Sequence, residues 1–460
     1  MQFHLLSFEG PDDYARAGGI ATRVSGLAQA MAAMGHDTHL WFIGDPDRPG
    51  YEGRDRLHLH RWCQWISGYH RGGVYDGEEG KRLDYAASLP PSLLEEVLAP
   101  ALQEGQRAVI LAEEWHTVDA VLHVDWLLRR NGLRDRVTIL WNANNNYSFE
   151  RIDWEGLARA AIITTVSRYM KHLMWRYGVD PLVISNGLAA EAFITPRPDA
   201  VSHFRRRVAR RNVLSKVARW HPDKRWLMAV DIVAAMKAMG LRPLLVARGG
   251  VEAHGAEVLA AATAAGLRVV DRTSAAPGSN GLLLAMEGAE DSDVVNLRMP
   301  LNEESSRLLF HCSDAVLANS GHEPFGLVGL EAMAVGGVAC VGTSGEDYAV
   351  PGYNSVVLET NDPQEFIAMF QALHGDPAQE LTLRRDAQAT AKRYAWPQII
   401  ERVLLPRLAM LAESASGVLR RTSPSADAIP ATAANARPFR GRGTRRRAPS
   451  NSSLVRICAA

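Results

Sequence analysis

Short apolar runs recur along this chain, each stopping at a polar residue or a glycine before a stretch of helical spacing begins. "FHLLSF" at residues 3–8 is the first. Val24, Leu27, Met31 and Met34 follow at helical intervals, Gly35 sits where a helix ends, and "THLWFI" at 38–43 is a second strand. The same order continues through "AVILAEEWH", "VTILWNANNN", "AIITTVS" and "LVISNG". A proline-bearing, very basic stretch, "TPRPDAVSHFRRRVARRN", then interrupts it. A second series follows: "VLSKVARWHPDKR", "PLLVARGG", "LRVVD", "DVVNLRM", "DAVLANS", "GVACVG" and "SVVLET". Strands that alternate with helices dictate parallel sheets covered on both faces, so the expected fold class is α/β, with two doubly wound domains facing a cleft. The expected boundaries are a first domain over 1–190, a linker over 191–212, a second domain over 213–385, a final helix over 386–413 and a tail over 414–460.

The long connection "EGPDDYARAGGIAT" carries Gly18-Gly19 at the carboxyl end of the first strand, where open α/β sheets bind ligands. At 460 residues the chain is long enough for two cores, and no uncharged apolar run approaches the ~18 residues of a membrane span. The N-terminus shows neither a basic region nor a cleavage site, so the expected compartment is the cytoplasm. Cys63, Cys312, Cys340 and Cys458 are scattered and form no paired motif, which suits a reducing environment. The zero net charge hides an asymmetry: from Ser414 onward nine arginines face one acid, Asp427, leaving 42 basic and 50 acidic side chains for the rest. That tail has too few large apolar residues to fold, and is read as a disordered, solubilising extension. Specific nucleic-acid binding is not expected of it, because Phe439 alone could stack on a base; weak contact with an anionic membrane surface remains open to it.

In "GHEPFGLVGLEAMAVGG", residues 321–337, two carboxylates enter an otherwise apolar and glycine-rich segment. Glu323 falls in the loop before a short helix and Glu331 inside it, about two turns away from Glu323, so they do not form a surface pair. Each needs a donor or a cation, and a ligand rich in hydroxyls would serve. The simpler reading is a helix cap and an arginine-paired surface residue. Gly326 and Gly329, however, leave room for close ligand approach at a helix N-terminus able to bind an anion.

"EPFGLVGLEAMAVGG" resembles the E-x7-E motif of retaining nucleotide-sugar glycosyltransferases of family 4. "GGIATRVSGLAQAMAAMGH" is similar to that family's N-terminal glycine loop and helix, "TVSRYM…YGVDPLVISNG" to the end of its first domain, and "KVARWHPDKR" to its phosphate-binding segment. The resemblance runs from about residue 3 to 410. It implies the GT-B fold, two Rossmann-like domains with a C-terminal helix returning to the first. It also implies that Arg219 and Lys224 grip the donor diphosphate and that Glu331 accepts the ribose hydroxyls. Glu323 would hold the transferred sugar, amides around Phe325, Gly326 and Leu327 would add to the anion site, and Gly18 and Gly19 would admit the phosphates. "EEWHT" at 113–117 resembles a segment of glycogen- and starch-synthase-like relatives in which the histidine lines the sugar site, making His116 the candidate here. The implied chemistry is metal-independent transfer of a hexosyl group from a nucleoside-diphosphate sugar to a hydroxyl of a glycan or small-molecule acceptor. It retains configuration by front-face substitution, without a cofactor and without a dedicated base.

Two positions depart from the family pattern. The usual Lys-Gly is Lys224-Arg225, and "TSGEDYAVPG" at 343–352 replaces the common G-G-x-P-E segment, which leaves the donor sugar open. "WNANNN" stands where a histidine is often found, and Asn142 or Asn144 is expected to supply amide contacts. His58, His60, Cys63 and His70 have irregular spacing and lack the second half of a zinc pattern, so no metal site is expected. Trp62, Trp65 and Tyr69, in an early-domain insertion, are read as ordinary packing of a surface excursion, with stacking on acceptor sugar rings as the alternative. The alternatives are a non-catalytic sugar-nucleotide sensor or scaffold working through the basic tail, and a phosphorylase, for whose lysine-bound pyridoxal phosphate no motif is present. The oligomeric state is not legible in the sequence.

Overall fold

The computed structural model describes residues 1–412, so the basic tail lies outside the described residues. Residues 1–410 form one compact unit containing two sheets. The first sheet comprises β1 (Gln2–Leu6), β2 (Asp37–Ile43), β3 (Tyr51–Arg54), β4 (Leu57–Trp62), β5 (Ala108–Glu113), β6 (Val137–Ala143), β7 (Ile162–Thr165) and β8 (Leu182–Val183). They lie in the order β3-β4-β2-β1-β5-β6-β7-β8. The second comprises β9 (Asn212–Val217), β10 (Pro243–Arg248), β11 (Val269–Arg272), β12 (Val294–Leu297), β13 (Ala315–Ala318), β14 (Ala339–Val341) and β15 (Val356–Val357), in the order β11-β12-β10-β9-β13-β14-β15. Every pairing is parallel except β3 with β4. The strand order reverses between β1 and β5 and between β9 and β13, and at such switch points the loops leaving the strands splay apart and open a crevice.

The strands read as continuous apolar runs because helices cover both faces. β1 and β5 are buried throughout, and the helices Gly19–Ala33 and Trp226–Ala238 cover the sheets with Val24, Leu27 and Met31 and with Ile232, Val233 and Met236. No helix among the described residues is long and apolar enough to cross a membrane.

Three local features differ from the sequence reading. The stretch "HLHRW", taken as a surface excursion, is strand β4, paired in parallel with β2; its alternating histidines conceal the usual apolar signal. Trp62 there is half-buried and its indole N–H donates to Ser88 Oγ at 2.7 Å, whereas Trp65 and Tyr69 are exposed. The segment 191–212, read as a linker, contains the helix Pro198–Arg207, started by proline at its first turn and anchored by fully buried Phe204. Finally, the helix Pro377–Arg393 is one piece, capped by Asp376, and the chain crosses to the first sheet at Tyr394–Trp396 rather than near 386.

The crossing is fixed by Trp396. Leu188 N–H donates to Tyr394 O at 2.7 Å, and Trp396 N–H donates to Leu188 O at 3.0 Å. The indole fills a slot floored by Gly26 and Gly187, where an added Cβ would meet ring atoms at 2.5 and 2.6 Å. It packs in the first sheet's core with Leu27, Leu111, Leu140, Ile399 and Leu404. Burying an indole of roughly 200 Å² at about 25 cal/mol per Å² contributes about 5 kcal/mol to holding the C-terminal segment on the first sheet.

Candidate functional site

The loops leaving both sheets meet around a cleft of about 1130 Å³. From the second sheet come the ends of β9 and β13. β9 is followed by the short turn Pro222–Lys224, which carries Lys224, and β13 by the loop holding Glu323 ahead of the helix Leu327–Ala334. Lys224 Nζ and Glu323 Oε2 are 2.5 Å apart. Arg219 is exposed at the lip, and its guanidinium makes no hydrogen bond or ion pair among the described residues. Glu331 lines the same wall about one turn into the helix, half-buried and likewise unpaired among the described residues. Burial, with the charge of Glu303 second, raises its carboxyl to about 7.

Below these groups lies Lys216, fully buried on β9, its ammonium donating to Leu317 O and Asn319 Oδ1 at 2.9 Å each. Burial first, then the nearby charges of Lys224 and Arg225, lowers it to about 7. Sequence reasoning missed this residue, although a lysine inside the apolar run "VLSKV" is itself the signal. The wall is therefore cationic at its base and lip, with two carboxyl groups set beside it. That arrangement suits a ligand that is anionic at one end and hydroxylated at the other.

Gly326 and Gly329 line the cleft at the helix start. A Cβ on Gly326 would come within 2.8 Å of Glu346 Cγ, and one on Gly329 within 2.5 Å of Tyr348 Oη, so both glycines make room for the chain's own "TSGEDYAVPG" segment. That segment supports the site from behind: Glu323 N–H donates to Ser344 Oγ at 3.0 Å, and Ser344 N–H to Glu346 Oε2 at 3.1 Å. Burial, then the charge of Glu323, pushes the Glu346 carboxyl up to about 8. Phe325 is buried against Tyr348, so its ring serves packing. Leu327 N–H is already taken by Phe325 O at 3.0 Å; the amides of Phe325 and Gly326 have no partner among the described residues.

The first sheet supplies the opposite wall. His116 follows β5 in a single turn of 3₁₀ helix, stacked on Phe8 with ring centroids 4.3 Å apart. Its Nε2 lies 2.7 Å from Glu78 Oε1, which makes the N–H donor at Nε2 the consistent tautomer and leaves Nδ1, buried and unpartnered, as an acceptor. Burial lowers its pKa, opposed by Glu78. Glu114 holds the loop after β6, accepting from Asn144 N–H at 2.6 Å and Asn145 N–H at 3.1 Å. Its own backbone is left-handed at φ 69°, a conformation that costs about 1–3 kcal/mol and is kept where a site demands it. Burial pushes its carboxyl up to about 8 against those two donors.

Asn144 lines the cleft, with its amide donating to Glu113 Oε2 at 2.7 Å and its buried Oδ1 unpartnered. Asn142 does not line it. Its amide donates to Glu113 at 2.9 Å and its carbonyl accepts from Thr164 at 2.9 Å, so both ends serve the sheet, and the contact expected of it falls to Asn144. Glu113 is further held by Arg23, whose Nε sits 3.0 and 3.1 Å from its two oxygens.

Gly18 and Gly19 line the cleft with nothing within 4 Å of a built Cβ, so open space is present there. The Gly18 amide, however, donates to Glu9 Oε2 at 3.0 Å, as does Ala21 N–H, which makes Glu9 a cap on this helix N-terminus. Glu9, Glu78 and Glu346 were not legible as site residues: each lies in a loop or first turn whose partner is distant in sequence. Arg225, standing where the family has glycine, adopts φ 50°, the left-handed region a glycine takes without cost.

The residues 17–192 match the family described as Glycosyltransferase Family 4. The two-sheet architecture of the described residues is a GT-B fold. Curated relatives include the D-inositol 3-phosphate glycosyltransferase of Thermobispora bispora, 34% identical over 128 residues, covering 26% of this chain and 30% of the relative. The match thus spans under a third of that relative's length. Among solved structures, sucrose-phosphate synthase from Thermosynechococcus elongatus shares the GT-B architecture at TM-score 0.60 and 18% identity, covering 91% of this chain and all of that one. The catalytic domain of starch synthase IV from Arabidopsis thaliana, bound to ADP and acarbose, aligns at TM-score 0.61 and 14% identity over 87% and 99% of the two chains. Anabaena HepE in complex with UDP aligns at TM-score 0.57 and 16% identity, over 90% and 100%.

Proposed function

We propose that this chain transfers a hexosyl group, with retention, from a nucleoside-diphosphate sugar to a hydroxyl of a glycan or small-molecule acceptor. The observation that carries the reading is the convergence, on one cleft, of Arg219, Lys224 and Glu331 from the second sheet with His116 from the first, Arg219 and Glu331 having no side-chain partner among the described residues. Arg219 and Lys224 bind the diphosphate, and their fixed charges stabilise the negative charge that builds as the sugar–phosphate bond breaks, without calling on a metal. Glu331 accepts the ribose hydroxyls. Glu323, paired with Lys224, turns to the sugar as the phosphates engage the lysine. His116 offers Nδ1 to a sugar hydroxyl, and the space beside Gly18 and Gly19 admits the phosphates. Departing phosphate oxygen takes the acceptor proton on the same face, which accounts for retention.

Support comes from relatives and neighbours whose names record glycosyl transfer or bound UDP, UDP-glucose or ADP. A cytoplasmic location belongs to the same proposal. The test is turnover of UDP-, ADP- and GDP-sugars with a panel of polyol, polyol-phosphate and glycan acceptors, D-inositol 3-phosphate included, with the product's anomeric configuration read by proton NMR. Donor-specific release of nucleoside diphosphate, lost in Arg219→Ala, supports the reading. Nucleotide binding without any turnover across the panel points to a sensor.

A further inference from the structure

We propose that Asp37, His39 and His58 form a binding site for one first-row transition-metal ion, with Zn²⁺ as the best chemical match. The site lies on the first sheet, at the amino ends of its strands, whereas the cleft opens at their carboxyl ends. Strands β1, β2 and β4 are neighbours in a register that pairs His4 with His39 and His39 with His58, so three imidazoles form a row across one face. Asp37, two residues before His39 on β2, shares that face.

The potential ligand atoms of Asp37, His39 and His58 all lie within 4.8 Å of one another. His58 Nε2 is 3.1 Å from Asp37 Oδ1, and His39 Nε2 is 3.9 Å from Asp37 Oδ2. Zinc–nitrogen distances of about 2.0–2.1 Å set tetrahedral ligand atoms roughly 3.3 Å apart, which those two separations bracket. The His39 side chain is only 9% exposed, and its Nε2 has no hydrogen-bond partner, being too far from Asp37 to make one. An orphaned, buried nitrogen facing a carboxylate and a second imidazole is what a metal would satisfy.

The groups behind the ligands are also in place. His39 Nδ1 is 3.0 Å from His60 Nε2; donation from His39 fixes the tautomer that leaves Nε2 with its lone pair. His60 is itself held by stacking on Trp41, with centroids 3.6 Å apart. His58 Nδ1 lies 2.8 Å from Tyr51 Oη, and Gln2 donates to Asp37 Oδ2 at 3.0 Å. Each ligand is thereby oriented by a partner through its remaining polar atom, the arrangement that tunes biological metal sites. Asp37 and His58 keep 35% and 22% of their side chains exposed, so the ion can enter and a water can complete the coordination. Bound there, it would clip β4 to β2. The grouping differs from the one weighed in the sequence: His58 takes part, His60 stands behind His39, Cys63 Sγ contacts Lys81 O and His70 pairs with Asp76.

The test uses the full chain without a histidine tag, stripped with a chelator. Titration with Zn²⁺ by calorimetry and with Co²⁺ by visible absorption should give one equivalent and a tetrahedral Co²⁺ spectrum. Asp37→Asn and His58→Gln should each weaken Zn²⁺ binding at least 10-fold and abolish the metal-induced rise in melting midpoint. Tyr51→Phe, which keeps all three ligands, should bind with a several-fold loss. Nucleotide binding should be unchanged by Zn²⁺. A wild type that takes up no stoichiometric metal overturns the proposal, a result that needs no variant to fold. Metal uptake of equal affinity and spectrum in His58→Gln overturns it equally.

Discussion

Replacing Glu331 by glutamine should stabilise the empty protein and weaken its hold on nucleotide, two effects of opposite sign from one carboxyl. In the folded chain the group sits at about 7 against an ordinary 4.5. Because the folded value is raised, the folded state prefers the proton: the full stability is present below the unfolded value and is lost as pH climbs through 7. At about 1.4 kcal/mol per unit the penalty at pH 8 approaches 3 kcal/mol, an upper figure for a half-buried group. Glutamine has the same shape and no charge, so its advantage over wild type should grow by about 2 kcal/mol between pH 5.5 and pH 8. For a domain of roughly 200 residues this is about 4–8 °C in melting midpoint. A carboxylate accepting ribose hydroxyls is worth about 1.5–3 kcal/mol, so nucleoside-diphosphate affinity at pH 8 should fall about 10- to 100-fold. Melting curves of both proteins at pH 5.5, 7 and 8, with calorimetric titration of nucleotide at pH 8, measure both arms. A variant no more stable than wild type at pH 8 would refute the claim that the carboxylate stands unpaired, and unchanged affinity would refute its role in binding.

Lys224→Ala removes a cation aimed at the diphosphate and should lower kcat/KM about 10²–10³-fold while the chain still folds, as steady-state kinetics and circular dichroism will show. Arg225→Gly relieves a left-handed backbone and should change stability by less than about 1 kcal/mol in denaturant titrations, whereas Arg225→Val should cost more. Gly18→Ala meets no atom within 4 Å and should leave the unfolding free energy within about 0.5 kcal/mol of wild type, so a rise in KM would report on ligand approach. Trp396→Ala empties the slot over Gly26 and Gly187 and should cost about 3–5 kcal/mol in equilibrium unfolding.

The two sheets were legible because a strand buried on both faces reads as an apolar run; β5 and β13 carry that signal most plainly, and β1 and β9 carry it around His4 and around Ser215–Lys216. β4 hid because four of its six residues are histidine, arginine or tryptophan, and what buries them is a row of rings contributed by strands far away in sequence. The helix Pro198–Arg207 hid for a similar reason, with three arginines in its last turn and one anchor, Phe204. At the site, the motif residues could be picked out from local spacing, but their environment could not. Asn142 faces Glu113 and Thr164, and Gly326 and Gly329 are matched to Glu346 and Tyr348; both facts depend on tertiary partners. Glu78 became visible only once the fold brought its carboxylate to His116, 38 residues away.

The central claim is a diphosphate-binding cleft, and the most direct test is thermal unfolding with ADP, UDP and GDP for wild type, Arg219→Ala and Lys224→Ala. A nucleotide at ~100 times its dissociation constant adds about 2.7 kcal/mol of stability. The account predicts that one of the three raises the wild-type midpoint by that order and shifts neither variant comparably. Midpoints that stay flat with every nucleoside diphosphate and with the corresponding nucleotide sugars, or that rise equally in all three proteins, would contradict it.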